Sequence, residues 1–134
     1  DLNYTSTVPK DADIETIRVG IEASKMLTII DAGQTAVVKD GSVISLEGVE
    51  GTDKTIQRAY DLAGKNCIIV KSARPKQDNR IDIPTIGLDT IKKIVEINAK
   101  GIVIEADKML FLDQDEVISY ANKNKIFIKG MKYD

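Results

Sequence analysis

Apolar positions change their spacing along this chain, and each change predicts an element. From Asp11, Ile14, Ile17 and Ile21 fall on one helical face. That helix either breaks at Gly20 or runs on toward Ile29. Gln34 to Lys39 and Ser42 to Glu47 are rich in Val and Ile. Asp40-Gly41 between them is a strong two-residue hairpin signal. Thr52 or Gly51 should open the next helix, whose apolar stripe is Ile56, Ala59, Tyr60 and Ala63, with Gly64 placed to end it. Asn66 to Val70 reads as a buried strand, and a long polar loop follows through Pro75 and Pro84. Asp89 or Thr90 then caps a helix carrying Ile91, Ile94 and Val95. Strands at Gly101 to Ala106, Met109 to Leu112 and Ile126 to Lys129 surround a helix that Asp113 caps and Val117, Ile118 and Ala121 line.

This order predicts an α/β fold with flanking helices. Its sheet is mixed and largely parallel, with an antiparallel hairpin at about 34–47. Residues 1–10 are polar and extended and read as a linker remnant. Residues 11–134 form a single domain. The chain begins at Asp1 rather than Met, as expected of a trimmed or processed N-terminus. No fixed internal repeat and no low-complexity segment interrupts it.

Composition narrows the chemistry. The 134 residues contain no His. This chain therefore supplies no His general base, no Ser-His-Asp or Cys-His nucleophile and no His-ligated zinc. A single cysteine, Cys67, excludes an intrachain disulfide and a cysteine metal cluster, and its apolar run marks it as a small core residue. Net charge is −2 with a pI near 5.2, so no global basic field suggests nucleic acid. No apolar run approaches the ~20 residues that span a bilayer.

The stretch from Lys71 to Thr90 concentrates what chemistry remains. Lys71, Arg74, Lys76 and Arg80 are close in sequence to Asp78, Asp82 and Asp89, directly after a strand. Ligands of α/β sheets bind outside the carboxyl ends of strands. Cations there can neutralise phosphate, and Asp78 and Asp82 can hold a hard metal or orient water. The plain alternative is a solvated loop whose charges pair weakly. Glu50-Gly51-Thr52-Asp53 precedes a helix, so it is either an anion site or an ordinary cap. Asp31-Ala-Gly33-Gln34 offers a tight turn and an amide for a polar ligand, or simply a turn. Glu105-Ala106-Asp107 at a strand end carries the same two readings. Neither a P-loop nor a dinucleotide fingerprint is present.

Taken in order, these segments resemble the C-terminal half of the I-type UDP-2,3-diacylglucosamine pyrophosphatase family of Gram-negative lipid A biosynthesis. The matching pieces are Asp31-Ala-Gly33-Gln34 and Glu50-Gly51-Thr52-Asp53 with Arg58 and Ala59. Arg74-Pro75-Lys76-Gln77-Asp78, Asp82-Ile83-Pro84-Thr85-Ile86-Gly87 with Asp89-Thr90, and Gly101-Ile102 through Glu105-Ala106 complete the set. Lys76 stands where the family usually has Gly, and Leu88 where it often has Pro.

The resemblance implies magnesium-dependent hydrolysis of UDP-2,3-diacylglucosamine to UMP and 2,3-diacylglucosamine 1-phosphate. It implies a two-domain enzyme of which this chain is the second half, holding half of an interdomain site. Asp82 is then the leading catalytic residue, as metal ligand or orienter of the attacking water. Asp78, Asp53 and Asp89 are further candidates for metal contacts. Lys71 and Arg80 are expected on phosphate, and Thr52 and Gln34 on the nucleotide or glucosamine. A cytoplasmic location is implied; contact with the inner membrane's cytoplasmic face and homodimerisation stay open. The competing reading is a non-catalytic module that binds a nucleotide sugar or phosphosugar.

Overall fold

Strands with no polar face must be covered on both sides, and that requirement organises this protein. In the computed structural model, residues 1–75 and 81–134 are described, with Pro75, Ile81 and Asp82 described through their backbone. The elements are β1 (Leu2–Asn3), α1 (Asp11–Ile29), β2 (Thr35–Lys39), β3 (Ser42–Leu46) and α2 (Thr52–Ala63). Next come β4 (Ile68–Lys71), β5 (Arg74–Pro75), β6 (Ile81–Asp82), β7 (Thr85–Ile86) and α3 (Leu88–Glu96). The chain ends with β8 (Gly101–Glu105), β9 (Leu110–Phe111), α4 (Gln114–Lys123) and β10 (Phe127–Met131). Among the described residues the main sheet runs β1-β10-β8-β4-β2-β3. Its centre, β10-β8-β4, is parallel, and β2, β3 and β1 pair antiparallel on either side. The α/β fold with its mixed sheet, hairpin and flanking helices is therefore as the residue pattern predicted.

Alternation along the strands divides the core in two. Val37, Ile69, Ile102, Ile104 and Ile128 face Ile56, Ile91, Ile94 and Val117, so α2, α3 and α4 cover one side. Val38, Ile68, Val70, Val103 and Phe127 face Ile17 and Ile21, so α1 covers the other. Each such Ile or Val, fully buried, contributes about 1.5–3 kcal/mol. Helix α1 does not break at Gly20. A Cβ there would lie 2.5 Å from Val70 Cγ2 and 3.2 Å from Val38 Cγ2, so the missing side chain lets helix and sheet touch. The hairpin turn has positive φ at both Asp40 (49°) and Gly41 (81°), as a type I′ turn requires.

Three local expectations change. Helix α3 starts at Leu88 after Gly87, rather than being capped by Asp89 or Thr90. The Leu112 N–H bond to Ile86 O holds the chain in β7 up to that point, and the helix begins at once. The loop after β4 is not structureless: β5 pairs with β6 and β7 with β9. The opening residues are extended and tied down. Leu2 and Asn3 pair with β10, Thr5 Oγ1 accepts from the Ile128 N–H at 2.9 Å, and Tyr4 packs edge-on against Phe111.

The start of α1 carries a buried charge. Asp13 accepts from the Lys10 N–H at 2.9 Å and from Lys100 Nζ at 2.7 Å. Burial pushes its pKa up, but the Lys100 ammonium and the Lys10 N–H outweigh that and hold the carboxyl below the usual range. Asp13→Asn should cost about 1–2 kcal/mol near neutrality. Because the folded pKa is depressed, this contribution is complete above the unfolded value of about 4 and vanishes as pH falls through the folded one. Thermal melts of both proteins between about pH 7 and pH 3 should converge on the acid side. A constant gap would contradict the assignment.

Candidate functional site

One edge of the sheet gathers the polar side chains. The parallel strands β4 and β8 end there at Lys71 and Glu105, and the antiparallel β2 begins there at Thr35. Helix α2 starts at the same edge with Thr52. Lys71 is only 7% exposed, an unusual place for an ammonium. Its Nζ donates to Thr35 Oγ1 at 2.9 Å and to Thr52 Oγ1 at 3.0 Å. Bonds from a charged donor are worth about 1.5–3 kcal/mol each, which offsets the cost of desolvating it.

Glu47 completes this cluster. Its Oε2 accepts from the Thr52 hydroxyl at 3.2 Å, and its Oε1 accepts from the Gln34 N–H at 2.9 Å. Thr52 is therefore not the helix cap that its position suggested. Gly51, with φ of 87°, takes that place while the Thr52 hydroxyl serves Lys71 and Glu47. Glu50 is likewise committed: it accepts two bonds from Arg58, at 2.6 and 3.3 Å, and Arg58 also donates to Leu46 O. The Arg58 guanidinium lowers the Glu50 pKa.

The backbone under Lys71 is held from three directions. The Tyr133 hydroxyl lies 2.6 Å from Lys71 O and 3.3 Å from Val103 O. Ser72 N–H donates to Gln34 O at 2.9 Å, and the Ser72 and Ser24 hydroxyls are 2.6 Å apart. Glu105 accepts from the Ala73 N–H at 3.1 Å and pairs with Lys108 at 3.3 Å, so it secures the turn after β4. Asp31 pairs with Arg74 at 3.4 Å.

Gln34, Thr52 and Lys71 are thus brought together around Glu47. Asp53 and Asp89 are exposed in the first turns of α2 and α3. Among the described residues, no group of three or more His, Cys, Asp or Glu could hold a metal ion. Asp78 and Arg80 lie outside the described residues. Asp82 is placed by its backbone, which pairs with Arg74 three positions beyond Lys71. Cys67 is fully buried among the core residues, and burial raises its thiol pKa. A groove of about 540 Å³ opens elsewhere, at the amino ends of the parallel strands, and shares no residue with this cluster. Polar convergence and the carboxyl-end position of the Lys71 edge identify it, rather than cavity volume, as the candidate site.

The family model for the LpxI C-terminal domain matches residues 2–129. The chain belongs to that family. A relative named UDP-2,3-diacylglucosamine pyrophosphatase LpxI, from Caulobacter vibrioides, is 32% identical over 139 aligned residues. The match covers 97% of this chain and 49% of that relative, so the chain spans about half its length. The family resemblance read from the motifs is thereby borne out.

For this LpxI C-terminal domain, sequence reading missed Thr35, Glu47, Ser72 and Tyr133. A polar residue opening an apolar strand was the only signal for Thr35; the others depend on tertiary proximity. Burial, with Glu105 nearby, raises the Tyr133 phenol well above its ordinary pKa. Tyr133→Phe should cost about 1 kcal/mol. The neutral phenol's contribution is full below the unfolded pKa of about 10 and is lost as pH rises past it. Denaturant midpoints should therefore fall more steeply above about pH 10 in the wild type than in Tyr133→Phe. Parallel curves would refute the linkage.

Proposed function

We propose that this chain is the C-terminal half of a two-domain enzyme that hydrolyses the pyrophosphate bond of UDP-2,3-diacylglucosamine. The products would be UMP and 2,3-diacylglucosamine 1-phosphate. Family membership and the name of the relative support this substrate. The structural observation that carries it is the buried Lys71 ammonium at the carboxyl edge, to which Thr35 and Thr52 present hydroxyl oxygens. A fixed cation in a partly dehydrated site stabilises charge that develops on phosphoryl oxygens.

In this reading Lys71, with Arg80, meets the pyrophosphate oxygens. Thr52 and Gln34, on the helix and strand beside Lys71, contact the nucleotide or glucosamine. Asp82 orients the attacking water; its backbone pairs with Arg74, three positions beyond Lys71. The second domain supplies the rest of the site. Magnesium is proposed as the ion this chemistry needs, with Asp82 as its leading ligand and Asp78, Asp53 and Asp89 as further candidates for metal or water contacts.

UMP release by the two-domain protein is the direct test, and binding of the nucleotide sugar without turnover would favour a binding module instead. Asp82→Asn should lower kcat ~100-fold or more while the melting temperature holds. Near-normal turnover in a folded variant would remove Asp82 from the mechanism. The 134-residue chain alone should melt cooperatively and release no UMP; full activity from it would overturn the split site. Chelation should abolish turnover and magnesium restore it, and unchanged turnover after thorough metal removal would refute the metal requirement.

A further inference from the structure

We propose that Glu47 is the positioning residue of this site, acting on the ligand through Thr52 and Lys71. The inference rests on the pyrophosphatase reading above and assigns a role to a residue that no motif marked. Glu47 is half-buried and stands just past the end of β3. Its backbone N–H donates to Thr35 O at 2.9 Å, which ties it to the strand that carries one Lys71 acceptor.

The direction of the hydroxyl decides the argument. A threonine hydroxyl has one proton and two lone pairs. Thr52 spends its proton on Glu47 Oε2 at 3.2 Å, so a lone pair is left facing Lys71 Nζ at 3.0 Å. Without a carboxylate acceptor that proton is free to turn toward the Thr35 oxygen, 3.5 Å away. That rotation re-aims the Thr52 lone pairs and places a donor against one of the two oxygens that face the ammonium. The second carboxylate oxygen meanwhile holds the Gln34 N–H, fixing the turn before β2. Both oxygens are used, and one carboxylate sets two of the proposed ligand contacts.

Gly33 gives independent support. A Cβ at that position would lie 2.8 Å from Glu47 Cβ, Cγ and O. The turn before β2 therefore leaves room for the Glu47 stem to cross it, and any side chain there would push the carboxylate away. Asp31-Ala-Gly33-Gln34, read from sequence as a turn with an amide to offer, is also the seat on which Glu47 lies.

The experiment uses the two-domain protein. Glu47→Gln keeps the shape but leaves one acceptor oxygen for two donors. It should lower kcat/KM for UDP-2,3-diacylglucosamine ~10-fold or more, consistent with loss of orientation rather than of a group. Thr52→Ser should retain activity and Thr52→Val should behave like Glu47→Gln. Gly33→Ala, which displaces Glu47 without removing its charge, should move activity in the same direction. In a Thr52→Val background Glu47→Gln should add less than it does alone, because its effect on the ammonium passes through that hydroxyl. Independent, multiplying effects, or unchanged turnover per folded Glu47→Gln molecule, would overturn the role. Nitrogen-15 NMR of the lysine ammonium groups provides a readout that needs no turnover. The Lys71 signal, assigned by its absence in Lys71→Arg, should be visible in the wild type and in Thr52→Ser and broaden in Glu47→Gln. An unchanged signal in Glu47→Gln refutes the positioning. If the wild type releases no UMP, the pyrophosphatase reading fails, and the NMR comparison alone decides the role of Glu47.

Discussion

A lysine ammonium buried at the end of a strand constrains everything around it. Leaving such a charge without hydrogen-bond partners costs several kcal/mol, enough to consume much of a domain's net stability. Thr35 and Thr52, from a neighbouring strand and a helix start, meet part of that demand for Lys71. Those hydroxyls must reach it at hydrogen-bond distance, so β2 and α2 cannot shift relative to β4 without exposing the cost. The Tyr133 and Ser72 bonds then hold the lysine's own backbone, and Glu47 holds the hydroxyl.

The sheet makes this arrangement available. Parallel strands β4 and β8 deliver their carboxyl ends to one edge, and the antiparallel β2 starts there. Because β2 runs the other way, its first residues, Gln34 and Thr35, stand beside the last residues of β4. A wholly parallel sheet would bring the far end of that strand to the same place. The hairpin thus does more than close the sheet's side: it turns a strand beginning, its turn and its partner's end into site residues. Helix α1 covers the opposite face and sends Ser24 down to Ser72, linking the second core to the same point.

Much of this was legible in the residues, for identifiable reasons. Uninterrupted runs such as Cys67 to Val70 allow no exposed face, and Asp40-Gly41 permits few turns, so strand centres and hairpin followed from local rules. Ends were harder. Asp89 and Thr52 are good capping residues, yet helix α3 is started by the pairing of β7, and Thr52 has its hydroxyl taken by Lys71. Of the candidate site, Lys71, Thr52 and Gln34 were proposed from sequence because they flank strand ends and a helix start. Glu47 and Tyr133 were not. They act through bonds to residues 5 to 62 positions away, and no spacing rule anticipates those contacts.

The Tyr133 hydroxyl reaches Lys71 across 62 positions, and the Ser24–Ser72 bond spans 48. Contacts of such separation form late, since loop-closure entropy must be met before they reward the chain. The lysine's setting is therefore a property of the whole domain and of no smaller part. Strand β4 paired only with β8 would present the same ammonium without either hydroxyl. The polar edge becomes a report on completed folding: a partly folded chain lacks the oriented cation.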